Sequence, residues 1–246
     1  MKTLVLAALF VTCAAGASYA QAEAPMSPLA MAVACAPPPT YDVAPAGTLR
    51  IIGAQDPVPR ALFSNRDLLV IGGGTTAGLQ PGQQFFVRRA NSMGGGRTPR
   101  GSRTLGWLRV VAVNETTAIA VVAHACGGIV IDDYLEPFAE PMVSADFEKD
   151  ETPGQPDFSN LGHILLGNEE RATVGNGDFV LVDWGAAQGL TPGSRFAIYR
   201  DVGSNALPLT AVGEAIVVST SHAMALLRIT RARDAIYAGD YVALRK

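Results

Sequence analysis

Charge and long apolar runs are what this sequence has least of. Only 17% of its 246 residues are charged, and the formal net charge is −3. That balance excludes a broadly basic nucleic-acid binder, so no nucleic-acid partner is expected. Beyond the N-terminus no stretch reaches the ~18 apolar residues of a bilayer-spanning helix, so the mature chain is expected to have no transmembrane span. There are three histidines, His124, His163 and His222, with no motif in common. The sequence has no Gly-x-Ser-x-Gly elbow, no His-Glu-x-x-His and no cysteine pair at metal-finger spacing. Catalytic, cofactor-binding and metal residues are therefore all read as none, and the chain is expected not to be an enzyme. What is abundant is apolar residues at 48%, with 26 glycines and 16 prolines. That mixture is enough for a packed core and points to short strands with many turns.

The start of the chain has the three parts of a secretory signal. Lys2 gives a positive charge, Leu4 to Ala17 is nearly all apolar, and Ser18-Tyr19-Ala20 puts small residues at the first and third places. Cleavage is expected after Ala20, sending the protein to the periplasm or outside the cell. Lipidation is the weaker reading, because Cys13 sits in a poor lipoprotein box and Gln21-Ala22-Glu23 separates Cys35 from the apolar run. The mature chain keeps Cys35 and Cys126. An exported compartment permits a disulfide between them, and two free thiols are the alternative.

The chain also resembles itself. At an offset of 111, Asp67, Gly74, Gly78, Leu79, Pro81, Gly82, Phe85 and Arg89 meet Asp178, Gly185, Gly189, Leu190, Pro192, Gly193, Phe196 and Arg200. At an offset of 107, Gly106, Val110, Val111, Ala118, Asp133 and Tyr134 meet Gly213, Val217, Val218, Ala225, Asp240 and Tyr241. The division that follows is signal peptide 1–20, Ala/Pro-rich leader 21–46, copy one 47–138, acidic linker 139–160 and copy two 161–246. The leader reads as loosely ordered, extended near Pro37-Pro38-Pro39, and the linker as unable to bury much. Within each copy the apolar runs are short, β-branched and bounded by turn residues. The expected fold is all-β: two tandem small barrels or sandwiches of five or six strands each. Pro81-Gly82 and Pro192-Gly193 suit the centre of type II turns.

Several local patterns resemble chemistry. Leu68 to Leu79 approximates a dinucleotide fingerprint, but Pro81-Gly82 falls where the phosphate-holding helix must run. His124-Ala125-Cys126 offers two metal ligands on one strand face, short of the three or four a site needs. Asp67, Asp133, Asp178 and Asp240 each precede a strand and read as turn-stabilising carboxylates. One feature differs between the copies. Arg88, Arg89, Arg97, Arg100 and Arg103 lie in a Gly-rich stretch with no acid, while the matching loop of copy two has no positive charge. This stretch is the candidate site for an anion or a partner, against the alternative of a solvated hairpin loop.

Copy two carries Gly177-Asp178-Phe179-Val180-Leu181-Val182, Gly185, Gly189-Leu190, Pro192-Gly193, Phe196, Tyr199-Arg200 and Gly239-Asp240-Tyr241-Val242. This pattern resembles the C-terminal β-domain of flagellar assembly protein T and the related domains that accompany lysin motifs in envelope proteins. Copy one resembles it with Arg66-Asp67 and Asp132-Asp133 in place of the two Gly-Asp pairs. The resemblance implies an exported, non-enzymatic β-module. The expected function is a binding or scaffolding module of the bacterial cell envelope, with an envelope polymer or envelope protein as partner. The alternatives are a subunit of a surface or flagellar-type assembly that engages partners through strand edges, and an envelope hydrolase using His124 with Asp132 or Asp133.

Overall fold

The structure is a computed structural model and describes residues 26–40, 47–90, 102–143, 154–167, 171, 173–203 and 208–246. The expected signal segment 1–20, Arg97 and Arg100 lie outside the described residues. The fold is all-β and forms two units, a curled six-stranded sheet and a closed six-stranded barrel with an added two-stranded pair.

The first unit comprises β1 (Ile51–Ala54), β2 (Leu68–Ile71), β3 (Gln84–Ala90), β4 (Ser102–Val113), β5 (Ala118–Ala125) and β6 (Tyr134–Pro137), in sheet order β1-β2-β5-β4-β3-β6. Its two edges meet where Arg50 bridges Tyr134 and the Leu135 N–H donates to Leu49 O at 2.8 Å. The second unit comprises β7 (Gly162–Gly167), β8 (Thr173–Val174), β9 (Phe179–Val182), β10 (Arg195–Arg200), β11 (Thr210–Thr220), β12 (Ala225–Ala232), β13 (Ile236–Tyr237) and β14 (Tyr241–Leu244). Here β10-β11-β12-β9-β7-β14 close into a barrel, and β8 pairs with β13. Each unit fills its interior from alternate strand positions: Leu69, Ile71, Val87, Leu108 and Val122 in the first, Val180, Val182, Ile198, Val217 and Leu227 in the second.

The two sets of pairings run in step. Leu68 pairs with Val121 and Phe179 with Arg228; Gln84 pairs with Arg109 and Arg195 with Ile216. The register shift after Val87 recurs after Ile198. Even the isolated bridge Phe63–Ile129 has its counterpart in the β8–β13 pair Val174–Ile236.

The glycines of the fingerprint-like stretch serve this fold. A Cβ on Gly74 would stand 2.2 Å from Asn114 O, and one on Gly185 would stand 2.5 Å from Ser221 O. The Thr75 and Ala186 amides donate to those same carbonyls at 2.9 and 2.8 Å. The backbone that would cradle a phosphate instead seats the β4–β5 and β11–β12 hairpins.

The residue before each turn aspartate has positive φ: Arg66 at 70° and Asp132 at 74° in the first unit, Gly177 at 86° and Gly239 at 95° in the second. Side chains adopt this region at a cost of about 1–2 kcal/mol that glycine avoids. Arg66→Gly is therefore expected to stabilise the protein by about 1 kcal/mol in urea unfolding. A variant less stable than the parent would contradict the strain argument.

Two segments differ from expectation. The described part of the leader is not loose throughout: Pro28–Cys35 forms helix α1. The Ser27 Oγ accepts from the Ala30 amide at 3.1 Å, and Pro28 occupies the first turn, where its missing N–H costs nothing. The linker is not free along its whole length either. Beyond β7, strand β14 outlasts its neighbour, and its unpaired backbone is met by residues 154–157. Pro156 bridges Arg245, Gln155 and Lys246 exchange backbone bonds at 3.0 and 3.1 Å, and the Asp157 amide donates to Leu244 O at 2.8 Å.

Helix α1 lies between the units. Ala34 packs with Phe86, Trp107 and Phe138 of the first. Leu29, Val33 and Ala36 pack with Leu166, Phe179, Leu181, Ile216, Val218 and Leu226 of the second. This explains why β9 is buried on both faces, whereas its counterpart β2 leaves Leu68 exposed. Cys35, the last residue of α1, is joined to Cys126 by a disulfide, with Cα atoms 5.5 Å apart.

Candidate functional site

The four turn aspartates share one geometry. Each accepts the amide three residues upstream: Ser64 to Asp67 at 2.8 Å, Val130 to Asp133 at 2.8 Å, Gly175 to Asp178 at 2.9 Å and Tyr237 to Asp240 at 2.9 Å. Each also meets an arginine: Arg60, Arg89, Arg171 and Arg200 respectively. The Arg89 and Arg200 forks are two-pronged, with Nε to Oδ1 at 2.7 and 2.9 Å and a terminal nitrogen to Oδ2 at 2.8 and 2.7 Å. Their spare donors reach Gly128 O and Ala235 O, matching carbonyls of the two units.

For Asp67, the Ser64 amide first and then Arg60 hold the carboxyl below its ordinary value of 3.8, against partial burial. The linkage sign follows. This contribution to stability is full above the unfolded-state value and is lost as pH falls through the lower folded value. Acid unfolding of Asp67→Asn should accordingly show a shallower loss of stability below about pH 4 than the parent. Identical acid limbs would contradict this.

Ion pairs within the fold engage two residues of the candidate anion site. Arg89 is engaged by Asp133, which is 2% exposed. Arg88 is buried in β3, where it bonds Glu136 at 3.1 Å and Thr104 and lies over the Phe86 ring. Burial pushes its pKa down from the ordinary arginine value, and Glu136 opposes that shift. Arg88 and Arg89 are thus strand residues with carboxylate partners rather than members of an open basic loop. Arg103 is in β4 beside the disulfide and has interactions of its own. It lines a cavity of about 280 Å³ with Cys35, Cys126, Thr104, Leu105 and Leu166, where the two units approach.

The residues of the hydrolase alternative each have other surroundings. Asp133 is held by Arg89 and the Val130 amide, Asp132 is a strained turn residue, and His124 stacks on Trp107 with ring centroids 4.6 Å apart.

A different cluster emerges on the second barrel. Arg195, Arg228 and Arg231, with Glu214, line a polar groove of about 490 Å³. Glu214 is bonded by Arg245 at 3.1 Å. Strict alternation puts residues 228 and 231 on opposite faces. However, Arg231 pairs with Glu214 while Ile229 pairs with Ala215, so Thr230 is an extra residue that carries Arg231 onto the face of Arg228. In the first unit the positions matching Glu214, Arg231 and Arg245 hold Trp107, His124 and Phe138. Trp107 stacks on His124 and meets Phe138 at a tilt, and α1 packs over Trp107 and Phe138. The positions that pack α1 in the first unit thus line a guanidinium groove in the second, next to the stretch around Ile216, Val218 and Leu226 where α1 covers that unit. No protein-family model matches the chain, and no curated protein matches it. Among the described residues, no helix is long and apolar enough to cross a membrane.

Proposed function

We propose that the protein is an exported, non-enzymatic binding module of the bacterial cell envelope, built from two copies of one β-barrel unit. In this reading the first copy anchors α1 and the second presents the arginine groove to an anionic envelope polymer. The export signal and a disulfide suited to an oxidising compartment support the location. The matched registers and clasps support the duplication. The observation that carries the binding role is the groove, whose lining brings Arg195, Arg228 and Arg231 together on one face of the barrel. Such a lining suits the carboxylates or phosphates of a polymer, since arginine bonds both in two-pronged fashion.

The assembly-subunit alternative relies on strand edges, and the closed second barrel offers little edge for strand addition. The test of the proposal is co-sedimentation of the mature chain with peptidoglycan sacculi and with outer-membrane fractions. Recovery in one pellet well above a polymer-free control, falling as salt rises, is the expected result. Equal recovery in the control overturns it.

A further inference from the structure

Around the disulfide the structure supplies what the sequence withheld from His124-Ala125-Cys126, namely a third ligand. Cys35 arrives from α1, and its Sγ, the Cys126 Sγ and a His124 ring nitrogen all lie within 4.8 Å of one another. All three residues are half-buried rather than sealed. Both cysteines line the 280 Å³ cavity, which leaves room for a dithiol to reach the bridge and for a fourth ligand to approach. Trp107 stacked on the His124 ring limits its orientation, the role that neighbouring groups play around metal ligands.

We infer that Cys35, His124 and Cys126 form a redox-gated site for a thiophilic d¹⁰ cation, Zn²⁺ or Cu⁺, that exists only when the bridge is reduced. A dithiol reductant supplies two electrons and two protons. It becomes a disulfide, the Cys35–Cys126 bond breaks, and two thiols form. The cation then binds both sulfurs as thiolates and displaces those two protons to solvent, while neutral His124 gives its ring nitrogen. Two thiolates and one imidazole are a soft set that suits trigonal Cu⁺, or tetrahedral Zn²⁺ with water at the open position. The oxidised bridge has no thiolate to offer. In either state α1 stays tethered to the first barrel, by a covalent bond or through the metal.

The full mature chain, reduced anaerobically with a dithiol and desalted, is titrated with Zn²⁺ and with Cu⁺ against chromophoric chelators. Co²⁺ serves as the spectroscopic probe. The expected result is one equivalent bound by the reduced chain and none by the oxidised chain, with thiolate-to-cobalt charge-transfer absorption. His124→Ala weakens binding at least about tenfold, and Cys35→Ser abolishes the charge-transfer signature of two thiolates. The two titrations decide between the cations. Equal binding by the oxidised chain overturns the inference, as does unchanged affinity in His124→Ala. Affinity that persists in 6 M urea also overturns it, because it marks chelation by an unfolded chain.

Discussion

Arg200→Met lowers the stability of the second barrel by about 3 kcal/mol in urea unfolding. Asp240 is 5% exposed, and Arg200 bonds both of its oxygens at 2.7 and 2.9 Å. Removing the guanidinium leaves a buried carboxylate with the Tyr237 amide as its remaining named partner. An uncompensated buried charge is costly, whereas loss of an exposed pair costs well under 1 kcal/mol. Arg200 also lies over the Tyr237 ring and closes on Ala235 O, so one side chain ties β10, β13 and the approach to β14 together. Arg171→Met at the matching Asp178 is the internal comparison. That arginine is 48% exposed on its side chain, and its replacement should cost little. Equal costs at the two sites would show that burial does not set the worth of the clasp.

Cys126→Ser is expected to cost about 2–5 kcal/mol and to lower the melting temperature by about 10 °C. The bridge spans 91 residues of sequence, so it closes a long loop of the unfolded chain. It also tethers α1, whose eight residues are too few to hold a helix in water without packing. The loss should reach the second barrel as well. Without α1 pinned, Leu166, Phe179, Leu181, Val218 and Leu226 lose part of their cover. Hydrogen exchange at β9 and β12 is expected to rise in the variant, and unchanged protection there would contradict the wedge role of α1.

Much of the fold was legible because it rests on local signals. Period-two apolar runs set the strands, Pro-Gly pairs set the turns, with Gly82 and Gly193 at φ 91° and 93°, and the aspartates marked the strand starts. The segments read wrongly were those whose structure is decided elsewhere. Ser27-Pro28 is a helix-start signature, but eight apolar residues in a Pro-rich leader carry no polar face to show amphipathicity. They are helical because two barrels cover them. Residues 154–157 look like linker and become strand-like only because β14 has backbone left to pair.

The arginines that pair within the fold were hidden for a similar reason. Charge density along the chain drew attention to Arg88–Arg103, yet two of those arginines are consumed by Glu136 and Asp133. Arg195, Arg228 and Arg231 are far apart in sequence, sit among equal numbers of acids in copy two, and converge only through strand pairing and the extra residue at Thr230. The three-ligand cluster needed Cys35, which lies 91 residues from Cys126.

The most direct measurement of the binding claim is co-sedimentation with sacculi and outer-membrane fractions for two variants side by side, Arg228→Ala/Arg231→Ala in the groove and Arg97→Ala/Arg100→Ala in the loop. The account predicts that the groove variant loses binding at least about tenfold, as expected for two charge-assisted contacts, while the loop variant binds like the parent. Full binding by the groove variant, with loss in the loop variant, would contradict it.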